Sequence, residues 1–362
     1  MIGNSSKKLL LKRNPVHSRD LGKETAAKIA AKEIMKKKQF IGSAVLLLTA
    51  IIWGTAFAFQ REGMEYIEPI TFTASRMTLA AVAVGVVSLV LSSVGKRRSG
   101  ARRSREADLS EQLIDPANKN YDATKPDERG KRRYTIIGGI CCGLFLTFAT
   151  FFQQAGIVYT SAGKAGFITA LYILFVPILN VVILKKRSSR LVWAAVAMGL
   201  IGMYFLCMTE GFSLSFGDGL VFLCAVLFSG HIMCCDRFTK KADPLKLSAV
   251  QFLTAAVVSW IAAFTVESPG LDKIITAVTP IVYCGLVSGG IGYTLQMVGQ
   301  KYTEPAVASL LMSLESVFAV LGGALILGES MSVRETIGCV IMFAAIVMVQ
   351  IPEFSKGKKT VY

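Results

Sequence analysis

The chain has 362 residues, 53% hydrophobic and only 18% charged, with 40 Lys and Arg against 24 Asp and Glu for a net charge of +16. So few charges cannot cover a water-soluble protein of this length, which excludes an ordinary soluble globular domain. The basic excess raises nucleic acid as a partner, but its distribution along the chain gives it another use.

A basic N-terminal tail, residues 1–38, comes first. Ten charge-free stretches follow: 39–60, 77–95, 134–163, 165–184, 191–209, 219–235, 247–266, 274–300, 305–314 with 316–328, and 336–352. Crossing the hydrocarbon of a bilayer takes roughly 20 apolar helical residues, and nearly every stretch supplies them. Unpaired backbone groups are too costly in lipid, so spans are helices or a closed barrel, and continuous apolar runs without strict alternation select helices. The expected fold is an all-α membrane protein of ten transmembrane helices. Within the tail, Glu24–Lys38 reads as a disordered orientation signal beside anionic lipid rather than a surface helix. The first apolar run starts too late and runs too long for a secretory signal peptide.

With the N-terminus inside, 35 Lys and Arg fall on the cytoplasmic side and four on the other: Arg61, Lys164, Lys273 and Arg334. Arg76 alone lies within a span. By the positive-inside rule this predicts a multi-pass protein of the plasma (inner) membrane with both termini cytoplasmic, including the tail 353–362. Membrane lipid, not nucleic acid, then accounts for the basic charge.

The chain repeats itself. Gln153-x-x-Gly156-x-x-Tyr159-Thr160 returns as Gln296-x-x-Gly299-x-x-Tyr302-Thr303, 143 residues later. Glu68-Pro69 returns as Asp243-Pro244, 175 residues later, which sets Arg76 against Gln251. The 32-residue difference falls in a charged cytoplasmic insertion, 95–133, that the second half lacks. Two five-helix repeats follow, 39–209 and 210–352. Five is odd, so the copies run antiparallel through the membrane around a central cavity. Inverted repeats of this kind place a binding site near the midplane and open it to alternate sides. That points to transport.

Catalytic motifs are absent from the sequence. It has no G-x-x-x-x-G-K-[ST], no H-E-x-x-H and no G-x-S-x-G, so neither an ATP site nor an enzyme is expected, and no cofactor. The eight cysteines lie in or beside apolar spans, without disulfide spacing. His231, Cys234 and Cys235 share one helical face, read as packing rather than a metal site. Interior charges are the stronger signal, because a charge deep in a span costs about 2.5–3.5 kcal/mol unless it serves a partner. Arg76 and Glu315 are such charges, the latter near the midplane and suited to proton coupling. Gln153, Gln251 and Gln296 are candidate solute contacts, and Trp53, Tyr172 and Tyr293 a candidate aromatic lining. Gly139, Gly143, Gly285 and Gly289 read as close helix packing. Lys164 at the outer start of a span snorkels to the interface.

Several segments also resemble a known family. They are Ile51-Ile52-Trp53-Gly54, Arg76 after Pro69, and Ser161-Ala162-Gly163-Lys164-Ala165-Gly166-Phe167-Ile168-Thr169-Ala170-Leu171-Tyr172 running to Val176-Pro177. Ser313-Leu314-Glu315 with Leu327-Gly328-Glu329 completes the set. Together they are similar to the EamA-like branch of the drug/metabolite transporter superfamily, over about 39–352. The resemblance implies ten helices around a cavity, alternating access without ATP, and Lys164 as a second cation near that cavity. Ser316 stands where the family often has Pro, which leaves a kink there in question. The expected function is a secondary active transporter of a small organic metabolite, amino-acid-like or drug-like, moving it outward and coupled to protons. An exchanger of phosphorylated sugars or nucleotide-sugars remains open, though it would want more interior cations. A non-transporting membrane enzyme or scaffold is the reading from another class. The partner is a small-molecule solute; no oligomeric state is legible.

Overall fold

The computed structural model describes residues 15–111, 128–160, 162–183, 185, 188–207, 215–327 and 332–355. Every regular element among them is helical. In chain order these are α1 (Pro15–Gly63), α2 (Pro69–Glu111), α3 (Glu128–Tyr159), α4 (Ala162–Thr169), α5 (Tyr172–Val182), α6 (Arg190–Cys207) and α7 (Phe216–Thr239). Next come α8 (Pro244–Val266), α9 (Leu271–Thr276), α10 (Val278–Val282) and a π-helical segment, Tyr283–Tyr293. The chain continues through α11 (Thr294–Gln300), α12 (Pro305–Met312), α13 (Glu315–Leu327) and α14 (Val333–Ser355).

Seven segments among the described residues are long and apolar enough to cross a membrane: Glu33–Gly63, Pro69–Val94, Arg129–Tyr159, Ala165–Val182, Phe216–Thr239, Pro244–Val266 and Val278–Gln300. Arg190–Phe205 and Pro305–Leu321 are shorter apolar helices. Large side chains such as Leu89, Val182 and Phe264 are exposed on these segments, as a lipid-facing surface requires. The chain is therefore an integral multi-pass membrane protein whose regular elements, among the described residues, are all helices. The N-terminal tail departs from its sequence reading, because α1 runs unbroken from Pro15 through Glu24–Lys38 into the membrane. Its Ala-, Lys- and Glu-rich composition favours helix, and continuity with a stable span removes the cost of nucleating it. Of the insertion 95–133, residues 112–127 lie outside the described part, while its start continues α2 as far as Glu111.

The helix starts follow from local chemistry. Pro69, Pro244 and Pro305 each open a helix, where a missing N–H costs nothing. The Asp243 side chain accepts from the Leu245 and Lys246 N–H groups, both at 3.1 Å. Ser215 and Asp218 form a reciprocal capping box at α7, with the Ser215 N–H donating to Asp218 at 2.7 Å. The α2 start is capped from afar: Glu267 accepts from Ile70 N–H at 2.9 Å, Thr71 N–H at 2.7 Å and the Thr71 hydroxyl at 2.6 Å. Beside it, Lys273 pairs with Glu68. Their bond holds the Glu68 carboxyl below its ordinary value and lifts Lys273 above its own.

Packing is interleaved between the two halves of the chain. α2 packs on α8 and on the π segment, α3 on α7 and α8, α1 on α13, α11 and the π segment, and α6 on α14. Several crossings are tight enough to require glycine, those at Gly156 and Gly299 among them. A Cβ on Gly156 of α3 would sit 2.9 Å from the Gly217 carbonyl oxygen and 2.5 Å from Val221. A Cβ on Gly299 of α11 would sit 2.9 Å from the Gly42 carbonyl oxygen and 2.6 Å from Leu46.

Two long apolar stretches are broken in the middle. One helix ends at Thr169 and the next begins at Tyr172; another ends at Met312 and the next begins at Glu315. The second break exists without a proline at Ser316.

Candidate functional site

The two breaks meet. Tyr172, first residue of α5, donates its hydroxyl to Glu315 Oε1 at 3.1 Å, and Glu315 is the first residue of α13. A helix N-terminus carries partial positive charge and unpaired N–H groups, so it is a favourable seat for a carboxylate in an otherwise apolar interior. Glu315 is buried, at 4% exposure.

Against this pair lies a small interior cavity of about 30 Å3. Seven of the nine residues singled out from the sequence line it. Arg76, Glu315, Gln153 and Gln296 supply its polar wall, while Trp53, Tyr172 and Tyr293 supply aromatic faces. The Trp53 and Tyr293 rings lie 4.6 Å apart between centroids, tilted by 51°, and the Trp53 indole N–H donates to the Ser288 carbonyl oxygen at 3.2 Å. That carbonyl belongs to the π segment, a form of helix common at functional sites.

Arg76 is the most exceptional member. It is 5% exposed and donates one hydrogen bond, to Gln60 Oε1 at 3.2 Å, with its guanidinium carbon 5.4 Å from the centre of the Phe72 ring. Its Nε and remaining amino group have no hydrogen-bond partner. No ion pair joins it to Glu315. A buried, half-satisfied cation is costly unless something arrives to pair with it. What holds Arg76 here is an amide and a ring.

The remaining two candidates behave differently. Gln251 does not line the cavity; it is fully buried and its Oε1 lies 2.7 Å from His231 Nε2. Lys164 belongs to α4, and its side chain lies outside the described part. His231 also approaches the Cys235 sulfur, at 3.5 Å from Nε2, but among the described residues no group of His, Cys, Asp and Glu could hold a metal ion. The four glycines sit at helix contacts: Gly139 and Gly143 against α8, Gly285 against α2, and Gly289 against Ala80.

Sequence reasoning passed over Gln60, Phe57, Thr169 and Phe228, all of which line the cavity. A signal for one of them existed: Phe228 stands 175 residues after Trp53, the repeat offset already read from Glu68-Pro69.

Known proteins match this arrangement along most of the chain. A protein of known crystal structure aligns with a TM-score of 0.62 at 18% identity, over 86% of this chain and 98% of that one, so the fold is shared. Two proteins of Archaeoglobus fulgidus, each described as an uncharacterized transporter, are similar in sequence. One is 25% identical over 318 residues, 87% of both chains. The other is 22% identical over 306 residues, 84% of this chain and 97% of its own. The pattern of the EamA-like transporter family runs through residues 40–106, 121–208 and 215–351, which takes in both buried charges and both broken helices, and the chain belongs to that family.

Proposed function

We propose that the protein is a secondary active transporter that carries a small organic metabolite, amino-acid-like or drug-like, by alternating access. Its ten helices form two inverted five-helix repeats in the plasma (inner) membrane, with both termini cytoplasmic. The observation that carries this reading is the composition of the cavity: residues at equivalent repeat positions line it in pairs. Trp53 pairs with Phe228 and Phe57 with Ile232 at an offset of 175, and Gln153 with Gln296 and Tyr172 with Glu315 at 143. A cavity on a pseudo-twofold axis is what inverted repeats build.

Other features support the same symmetry. The break at residues 170–171 precedes that at 313–314 by 143. The Gly156–Gly217 crossing corresponds to Gly299–Gly42 at offsets of 143 and 175. Gly143 abuts Gln251 and Thr254, and Gly285 abuts Arg76 and Leu79, again equivalent pairs. Thirteen residues separate Gly143 from Gly156 and fourteen separate Gly285 from Gly299, so the second repeat has one residue more, and the π segment, with its wider turn, absorbs it.

About 30 Å3 is room for one water, so an organic solute needs the cavity to open. Arg76 suits a carboxylate or phosphate group of the solute. One buried cation fits one anionic group, which favours a metabolite over a phosphorylated sugar or nucleotide-sugar with several charges. Glu315 is the coupling carboxylate. Movement is outward in this proposal, and its direction is read from the same comparison of cells. Metabolites that accumulate in cells lacking the protein, or leave cells overproducing it, nominate the solute. Purified protein in liposomes should then exchange that solute across the bilayer. Its failure to do so with correctly folded protein favours the enzyme or scaffold reading.

A further inference from the structure

The cavity is lopsided with respect to the repeats. Beyond the paired residues, it is lined by Ser288 and Tyr293 of the π segment and by four residues toward the end of the bundle that bears residues 61–68: Ala56, Gln60, Arg76 and Thr169. Their counterparts are His231, Cys235 and Gln251 at an offset of 175 and Met312 at 143. None of these lines the cavity, and all four have 0% exposure.

The counterpart face is packed shut, yet it is polar. His231 Nε2 lies 2.7 Å from Gln251 Oε1, the Cys235 sulfur lies 3.5 Å from the same nitrogen, and the Gln251 amide nitrogen has no partner. Packing alone gives no reason for an imidazole and a half-satisfied amide in a lipid-embedded core, where each unsatisfied group is costly.

Resting on the alternating-access reading above, we propose that His231, Gln251 and Cys235 form the solute-contacting face of the opposite-facing state. In inverted repeats the second state arises when each half takes up the conformation of the other. His231 then occupies the surroundings that Ala56 has here, Cys235 those of Gln60, and Gln251 those of Arg76. The chemistry of the two faces differs. In the arrangement seen here an anionic group of the solute meets the fixed cation Arg76. In the other it meets an imidazole and an amide, which offer hydrogen bonds without a permanent charge. The substrate class is thus a small organic acid or zwitterion that is gripped by an ion pair on one side and held by hydrogen bonds on the other.

Cysteine accessibility tests this without a known solute. Four single-cysteine proteins are needed: Ala56→Cys, His231→Cys, Gln296→Cys, and one that keeps only the native Cys235. Each is probed in sealed vesicles of both orientations with a charged, membrane-impermeant maleimide. Ala56→Cys should react only from the face bearing residues 61–68. Cys235 and His231→Cys should react only from the opposite face, and Gln296→Cys, on the shared wall, from both. Where Cys235 and His231→Cys differ, Cys235 decides, because it retains the native side chain. Reaction of Gln296→Cys from both faces with Cys235 silent from the opposite face overturns the inference alone. Reaction of Gln296→Cys from one face or neither overturns alternating access, and the inference with it.

Discussion

Replacing Gly299 by alanine adds one methyl group at the tightest crossing of α1 and α11. The new carbon would lie 2.6 Å from Leu46 Cγ and 2.9 Å from the Gly42 carbonyl oxygen. Carbon atoms settle about 3.5–4.0 Å apart, so the helices must separate by about 1 Å. The obstructing oxygen is backbone and cannot rotate aside. Overpacking of this kind costs about 1–3 kcal/mol, against a gain of about 1 kcal/mol for alanine over glycine in a helix. Gly85→Ala isolates the two terms, because Gly85 lies in α2 with nothing within 4 Å of an added Cβ. Its substitution collects the helix gain without the clash. The difference in stability between the two variants is then the overpacking term, about 1–3 kcal/mol in favour of Gly85→Ala. Gly156→Ala, with its Cβ 2.5 Å from Val221, should behave like Gly299→Ala. Thermal unfolding of purified protein in detergent measures all three. Equal stability of Gly299→Ala and Gly85→Ala would refute the close approach as the reason for glycine.

The Glu68–Lys273 pair should make stability pH-dependent. A carboxyl whose value is lowered by folding stabilises fully above the ordinary 4.5 and loses that contribution as pH falls through the lower folded value, so Glu68→Gln should flatten the fall in unfolding temperature below about pH 4.5. Arg76→Gln installs the residue found at the equivalent repeat position, and should leave the unfolding temperature near wild type while weakening binding of an anionic solute by tenfold or more, or about 1.4 kcal/mol. Binding unchanged in that variant would remove Arg76 from the pathway. Residues 95–133 carry 12 Lys and Arg and seven Asp and Glu with little apolar content. Shortening this insertion by 32 residues, with basic residues kept at both ends, should preserve membrane insertion, measured as protein recovered in the membrane fraction.

Much of this architecture was legible because lipid imposes a simple code. Charge-free stretches mark helices, and the two offsets, 143 and 175, tie residues that turn out to share one cavity. Buried charge was equally informative, since Arg76 and Glu315 are too costly in a span to be incidental. The breaks before Tyr172 and Glu315 were not legible as positions, because neither Thr169-Ala170-Leu171 nor Met312-Ser313-Leu314 contains a glycine or proline. Those breaks are set by tertiary packing. The π segment had only a weak mark, the glycines at 285, 289, 290 and 292. Gln251 was read as a solute contact by analogy with Arg76, but repeat position fixes register and not conformation: in the state seen here it is turned to His231. The helical tail was underread because charge argued for disorder, while the span it continues into supplied the nucleus.

The central claim is coupled transport through a cavity whose acid is Glu315, and its most direct test is solute accumulation in liposomes with and without a pH gradient. The wild-type protein should accumulate the solute when the gradient is applied and exchange it at equal pH. Glu315→Gln should lose gradient-driven accumulation and keep the exchange. Full gradient-driven accumulation by Glu315→Gln would contradict the account.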